Sequence, residues 1–209
     1  MNFTKKLYFR AMTIERIAFT EIDSTNNYLL QHADEHQAEM TVVSADHQTS
    51  GRGQGDHRWE STSGQNLLFS ILTHPHYVAA QEQQLLSMAG ALALRDVLMP
   101  LVGDIRLMWP NDIYWREKKL CGTLIETHLA GKQIKDCVFG IGLNVNQTEF
   151  FSDAPNPVSL KQILGHDVER ESLLQQVLET FHRRMDQLRN GQQAALRQEY
   201  EQLIEYKTA

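Results

Sequence analysis

The stretch KKLCGTLIETHLAGKQIKDCVFGIGLN, residues 118–144, decides the fold of this chain. It contains two runs rich in apolar and β-branched residues, Cys121–Leu129 and Ile134–Leu143, separated by the short segment AGK at 130–132. Two such runs around a turn that contains glycine are typical of a β-hairpin. We therefore predict a hairpin of two long antiparallel strands at this point of the chain.

Further strands are predicted before the hairpin, and helices follow it. Apolar patterns predict strands at 14–22, 40–45, 66–73 and 105–109. Helical spacing of apolar residues predicts helices at 25–33, 82–98, 159–164, 171–188 and 193–204. Strands dominate the first two-thirds of the chain, which indicates an α+β domain with a mixed β-sheet flanked by helices. We predict a single domain over residues 1–209, with a core at 13–165 and a C-terminal helical region at 166–209.

The composition limits the kind of protein. The chain has 209 residues and a formal net charge of −6, which suits one globular domain and argues against a protein built mainly to grip nucleic acid. The two cysteines, Cys121 and Cys137, would lie out of register in the hairpin, so we predict reduced core residues rather than a disulfide. No apolar run is expected to cross a membrane, and no signal peptide is recognised. We therefore expect a cytoplasmic protein without a membrane partner.

The segment GRGQGDHRW, residues 51–59, lies in a long polar stretch without an apolar period. Its three glycines allow the backbone to approach a ligand closely and to donate N–H groups to an anion, while Arg52, His57 and Arg58 supply charge. The segment is neither a Walker A loop nor a dinucleotide-binding fingerprint. An ordinary charged surface loop has a similar composition, so the residues alone leave both interpretations open.

Three further segments place polar residues or glycines at strand ends. WPND, residues 109–112, puts an amide and a carboxylate after a strand, which suits a metal–nucleotide or a ribose but also a simple polar turn. In KKLCG, 118–122, a lysine enters a strand ahead of a glycine, and strand spacing does not choose between Lys118 and Lys119. In GIGLNVN, 140–146, two glycines alternate on one strand face and leave it flat, as a planar ligand requires; a bulged strand end is the alternative.

Together, and in this order, these segments resemble the biotin–protein ligase family. The resemblance extends over about residues 14–165 and also takes in DSTN at 23–26, Gln48, GQNL at 64–67, KLCGTLIE at 119–126 and GIGLNVNQ at 140–147. The GRGQ form of the loop and PNPVSL at 155–160 are similar to the Bacteroidetes branch of that family. The resemblance implies a catalytic domain of the class II aminoacyl-tRNA synthetase and biotin ligase type.

The resemblance also implies a two-step reaction. Biotin and ATP, the latter with Mg²⁺, form biotinyl-AMP and pyrophosphate, and a lysine of a biotin carboxyl carrier protein then takes the biotin. Lys119 and Arg52 would be the catalytic residues, and the family's Lys-x-x-Gly spacing selects Lys119 over Lys118. Biotin would contact Ser24, Thr25, Gln48, Gly51, Arg52, Lys119, Gly122, Leu124, Gly140 and Gly142. ATP would contact Gln54, His57, Trp59, Asn111, Asp112 and Asn144, and Asp112 would also bind the magnesium ion.

The chain departs from the family pattern at three places. Met108 stands where the family usually has a lysine before WPND, and Gln54 stands where the loop commonly has an arginine. The family usually continues past this point into a small C-terminal β-barrel, and bifunctional members begin with a DNA-binding domain. We expect neither domain here, and hence no DNA partner or repressor role. A homodimer is compatible with the pattern.

Two other functions fit the same residues. A lipoate or octanoate ligase or transferase shares the fold and the carrier lysine, although the GRG loop and WPND favour biotin. A non-catalytic biotin-binding domain would also keep the glycine-lined slot. Biotin-dependent ATP–pyrophosphate exchange separates these possibilities.

Overall fold

The computed structural model describes residues 3–9, 12–110, 112–151 and 156–206, with side chains from Thr13 onward. The described residues form nine strands and five α-helices. The strands are β1 (Phe3–Phe9), β2 (Met12–Ile22), β3 (Met40–Gln48), β4 (Leu67–Thr73), β5 (Ile105–Met108), β6 (Asp112–Trp115), β7 (Lys118–Ala130), β8 (Gln133–Leu143) and β9 (Ile204–Glu205). The helices are α1 (Thr25–His32), α2 (Gln84–Val102), α3 (Leu160–Leu164), α4 (Arg170–Arg189) and α5 (Gln193–Leu203).

The strands form one mixed sheet in the order β1-β2-β3-β4-β8-β7-β6-β5-β9. The β2–β3 and β5–β9 pairs are parallel and the other pairs are antiparallel. The predicted α+β class and the predicted hairpin, β7–β8, are confirmed. In that hairpin Cys121 pairs with Leu143 and Cys137 pairs with Thr127, so the two thiols are out of register and both are free, as expected.

Helices cover both faces of the sheet, and alternate strand residues point to opposite sides. On one face α2 packs against α4 and α5 over the main core, where the rings of Phe139 and Phe181 meet edge to face at 4.7 Å. On the other face α1 covers a smaller cluster that includes Leu29, Val43 and Val138. The α1 face has less helix above it, and it carries the candidate site.

Helix α2 was not expected to be long and apolar enough to cross a membrane. The 23 residues Ala80–Val102 do meet that requirement, because an 18-residue stretch within them has a mean hydropathy of 1.6, so the expectation was wrong on this point. The apolar side chains of α2, among them Leu85, Leu92 and Leu98, are buried in the main core of the domain. The helix is therefore apolar because it is the central core helix.

Two short strands at one edge of the sheet were not predicted. β6 begins at Asp112, inside the segment whose composition favours a polar turn. β9 has two residues, too few to show an alternating pattern, and its pairing is set by tertiary contacts: Arg106 Nε donates to Glu205 Oε2 at 2.8 Å, and the Trp109 N–H donates to the Glu205 carbonyl at 2.8 Å. Both strands extend the sheet beside Lys119.

Candidate active site

A flat patch on the α1 face of the sheet, here called the glycine floor, consists of Gly122, Leu124, Gly140 and Gly142. The β7–β8 register places Gly122 opposite Gly142 and Leu124 opposite Gly140. A Cβ atom at Gly142 would lie 2.3 Å from Cε2 of Trp59, and one at Gly122 would lie 2.7 Å from Cζ3 of the same ring. Both glycines are therefore needed, because an indole lies directly on their backbone.

The third glycine of the floor is covered by a different side chain. A Cβ atom at Gly140 would lie 2.2 Å from Oδ1 of Asn26, on the first turn of α1. In this structure protein side chains lie against the glycines, and close approach of a ligand to them stays a prediction. Trp59, a predicted ATP contact, lies on the floor, which is the predicted biotin surface.

The segment Gly51–Trp59, here called the glycine-rich loop, folds as a narrow hairpin that carries Trp59 to the floor. The Trp59 N–H donates to the Gly51 carbonyl at 3.0 Å, and the Gly53 N–H donates to the His57 carbonyl at 2.8 Å. Gly51 is required here, since a Cβ atom would lie 2.5 Å from the Trp59 carbonyl oxygen. Gln54 and His57, two predicted ATP contacts, are exposed at the tip of this hairpin.

Predicted biotin contacts come together at the start of α1. Ser24 caps the helix by accepting a 3.4 Å hydrogen bond from the Asn27 N–H. The Thr25 N–H and hydroxyl lie 2.8 and 3.0 Å from Oε1 of Gln48, at the end of β3. The side-chain oxygen Oε1 of Gln48 thus already accepts hydrogen bonds. The side-chain nitrogen Nε2 is left to donate to a ligand.

Asn26 and two residues that sequence reasoning did not assign extend this polar network. The buried Ser70 hydroxyl lies 2.7 Å from the Thr25 hydroxyl and donates to Asn26 Oδ1. Asn26 Nδ2 in turn donates to Glu126 Oε2 at 2.9 Å and to the Leu124 carbonyl at 3.2 Å. A signal was available for Glu126, which lies on the same face of β7 as Gly122 and Leu124 by simple alternation.

Arg52 is bound to this network rather than left free. Its Nη1 and Nη2 atoms donate to Oε2 and Oε1 of Glu126 at 3.0 and 2.9 Å, and Nη1 also donates to Oδ1 of Asn27 at 3.1 Å. A guanidinium has five N–H donors. Three are used here, so two remain for a ligand among the residues that the structure describes.

Lys119 reaches the same face through a β-bulge. Strict alternation from Gly122 would select Lys118, but the β6–β7 register shifts between Ile113 and Tyr114, and Tyr114 pairs with Lys119. The Cε atom of Lys119 lies 3.5 Å from the position of a Cβ at Gly122, whereas Lys118 is exposed. Bulges commonly redirect a side chain in this way beside active sites.

The Lys119 ammonium is held at the WPND segment. Its Nζ lies 2.8 Å from Asp112 Oδ1, and the two side chains are only 18% and 15% exposed. Nζ also lies 5.7 Å from the centre of the Trp59 ring. Met108, directly before this segment, is buried at the end of β5. Asn111, a predicted ATP contact, lies outside the described residues.

Asn144 supports the backbone around Lys119. Its Nδ2 donates to the Val158 carbonyl at 3.2 Å, and its N–H donates to the Leu120 carbonyl at 3.0 Å. The Val158 N–H donates in turn to the Lys119 carbonyl at 2.9 Å. In the structure Asn144 therefore fastens the segment before α3 to β7, and its contact with ATP stays a prediction.

Comparison with known proteins identifies the family. Residues 18–144, more than half of the chain, match the sequence profile of the biotin/lipoate A/B protein ligase family. The chain belongs to this family. It is 30% identical over 166 residues to the bifunctional ligase/repressor BirA of Bacillus spizizenii, an alignment that covers 78% of the chain and 51% of the relative. The chain thus spans about half the length of this Bacillus relative.

Two further relatives within the biotin/lipoate ligase family agree with this. The chain is 30% identical over 173 residues to the biotin–[acetyl-CoA-carboxylase] ligase of Paracoccus denitrificans, covering 79% of the chain and 71% of that protein. Its structure is similar to that of the biotin protein ligase from Aquifex aeolicus in complex with biotin and ATP, with a TM-score of 0.72 and 30% identity over 84% of the chain and 72% of that chain.

Cys121 directly precedes Gly122 of the glycine floor, but its thiol is not activated as a nucleophile. The residue is fully buried between Leu120 and Gly122. Burial raises the pKa of its thiol well above the ordinary value, and the nearby Asp112 carboxylate raises it further. The thiol therefore stays protonated near neutral pH, and a thiolate is the form that reacts.

Other polar groups of the domain lie away from the glycine floor. A cavity of about 330 Å³, lined by residues that include His74 and Asp136, lies near the start of β3 and β8, at the end of these strands opposite Gln48 and Leu143. Glu39, His182 and Asp186 offer ligand atoms within 4.8 Å of one another, as a metal site requires. Arg189 already forms ion pairs with both carboxylates, at 2.6 and 3.3 Å, so a cation is present there without a metal.

Proposed function

We propose that this chain activates biotin with ATP to form biotinyl-AMP and transfers the biotin to a lysine of a biotin carboxyl carrier domain. The observation that carries the proposal is the partly buried Lys119 ammonium at the edge of the glycine floor. A flat backbone surface suits a planar ring system, and a fixed cation beside it suits the negative charge that builds up when a carboxylate attacks the α-phosphate of ATP. The names of the Paracoccus and Aquifex relatives support biotin as the acid.

In the proposed first step, a biotin carboxylate oxygen attacks the α-phosphorus of ATP and pyrophosphate leaves. Lys119 Nζ neutralises the negative charge that builds up between the carboxylate and the phosphate. The two free N–H groups of Arg52 anchor an anionic oxygen of the same ligand. Thr25 and Gln48 orient the ureido head group, since the Gln48 amide nitrogen is left to donate.

Asp112 is the residue that would hold the magnesium ion accompanying ATP. Mg²⁺ in nucleotide sites commonly takes one or two protein carboxylates together with phosphate oxygens, so a single carboxylate at the edge of the floor fits this mode. The ion would contribute charge neutralisation of the phosphates. Asp112 Oδ1 lies 2.8 Å from Lys119 Nζ, so this carboxylate is beside the ammonium.

In the proposed second step, the carrier lysine amine attacks the carbonyl carbon of the mixed anhydride. The bond between that carbon and the phosphate oxygen breaks, AMP leaves with the electron pair, and the amine loses a proton to form the amide. Lys119 is again placed to neutralise charge on the leaving phosphate. We further propose a cytoplasmic location.

ATP–pyrophosphate exchange tests the proposal, with biotin, lipoate and octanoate offered separately. We expect exchange that depends on biotin and is much slower with the other two acids. Faster exchange with lipoate or octanoate would assign the chain to the other branch of the family. Biotin binding in calorimetry without exchange would instead indicate a non-catalytic biotin-binding domain.

A further inference from the structure

The glycine-rich loop is fastened to the domain at two points. Trp59 lies on the glycine floor, and the Arg52 guanidinium reaches α1 and β7 through Asn27 and Glu126. The indole contact alone is a costly anchor, because the buried Trp59 Nε1–H has no hydrogen-bond partner among the described residues. The Arg52–Glu126 fork is the charged contact that ties the loop to β7.

Glu126 is held ready for this contact by its own neighbours. Asn26 Nδ2 donates to Glu126 Oε2 at 2.9 Å, and the Asn26 amide is oriented by the Leu124 carbonyl and the Ser70 hydroxyl. The Glu126 side chain is 26% exposed and that of Arg52 is 41% exposed, so the fork lies at the boundary with solvent. A bidentate fork of this kind fixes orientation as well as distance.

We propose that Glu126 is a positioning residue that holds Arg52, and through it the glycine-rich loop, closed over the bound acyl-adenylate. The inference rests on the proposed function, because a mixed anhydride hydrolyses in water and gains from a closed site. Glu126 occupies the end of the guanidinium formed by Nη1 and Nη2. The Nε–H and the second Nη2–H stay available for the anionic ligand, so loop closure and ligand anchoring use different edges of one side chain.

The test compares Glu126→Gln with Glu126→Asp and with the control Glu60→Gln, an exposed acid just after the loop. Glutamine keeps the shape but presents an NH₂ group to the guanidinium. We expect Glu126→Gln to raise the dissociation rate of biotinyl-AMP by about 10–100-fold, the loss expected for a hydrogen bond to a charged group. At saturating biotin and ATP, the rate of single-turnover biotinyl-AMP formation should fall by a smaller factor than the dissociation rate rises. The aspartate variant should recover part of the loss, and the control should match wild type.

A double-mutant cycle with Arg52→Ala separates positioning from a purely structural role. If Glu126 acts through Arg52, Glu126→Gln adds nothing in the Arg52→Ala background. An equal increase in dissociation rate in both backgrounds, or no increase in either, would overturn the inference. Thermal unfolding midpoints of the variants close to wild type show that the fold is kept.

A second readout does not depend on activity, so failure of the inference and failure of the proposed function can be told apart. In a Trp109→Phe/Trp115→Phe background, acrylamide quenching reports on Trp59 alone. We expect Glu126→Gln to increase quenching, because the loop opens more often. Unchanged quenching contradicts the role of Glu126 in holding the loop, even if the enzyme is active. Increased quenching in a protein that forms no biotinyl-AMP supports that role of Glu126 but contradicts the proposed function.

Discussion

Replacing Lys119 by methionine removes the charge at the edge of the glycine floor and keeps the length of the side chain. Two effects are expected. The loss of one preorganised charge from the transition state slows biotinyl-AMP formation by about 10²–10³-fold, or ~3–4 kcal/mol. The Asp112 carboxylate, 2.8 Å from the ammonium and 15% exposed, also loses its partner. We expect about 1–2 kcal/mol of lost stability, between the values typical of exposed and buried pairs.

The neighbouring lysine supplies the matched control. Lys118→Met removes the same charge from the neighbouring residue, whose side chain is exposed. The rate of biotin-dependent ATP–pyrophosphate exchange and the free energy of unfolding should therefore both stay near wild type. Single-turnover formation of biotinyl-AMP and urea unfolding measure the two effects separately. An inactive Lys118 variant beside an active Lys119 variant would refute the assignment. A Lys119 variant that changes only the Michaelis constant for biotin would refute the electrostatic role.

Three further predictions follow from single contacts. Gly142→Ala should weaken biotin binding by about tenfold or more in calorimetry, because the new methyl group takes up the space above the floor that the biotin rings need and that the Trp59 ring now fills, 2.3 Å from it; unchanged affinity would remove the floor from the site. Both cysteine thiols should resist alkylation at pH 8 until urea unfolds the protein, since burial raises the pKa of both; rapid labelling of the folded chain would contradict their placement. The hydrogen bond from Arg184 lowers the pKa of Glu199 below 4.5, so its stabilisation is present above that pH and is lost as the pH falls through the lowered value. Glu199→Gln should therefore cost about 0.5–1 kcal/mol in unfolding titrations at neutral pH and nothing in strong acid.

Local patterns predicted the elements that depend on local chemistry. The β7–β8 hairpin follows from two long runs around Gly131, and the cysteine offset follows from the same register. The helix predicted at 159–164 is the short helix α3, with Ser159 as its N-cap and Gly165 as its C-cap. Alternation on one strand also identified Gly140 and Gly142 as a flat surface. In each case the residues that decide the structure lie within a few positions of one another.

The remaining features depend on contacts between distant segments. The indole of Trp59 lies on Gly142, 83 positions later, and neither segment alone indicates that contact. The bulge that turns Lys119 to the floor arises in the pairing with β6, so strand spacing alone could not choose Lys119 over Lys118. Glu126 was overlooked because its role depends on Arg52, which approaches it from the loop.

A crystal structure of the chain with biotin and a non-hydrolysable analogue of ATP tests the assigned site most directly. The proposed function predicts the biotin rings on Gly122 and Gly142, with Trp59 moved to cover them and the biotin carboxylate within hydrogen-bond distance of Lys119 Nζ. Biotin found instead in the polar cavity beside His74 and Asp136, with Trp59 unmoved on the floor, would contradict it.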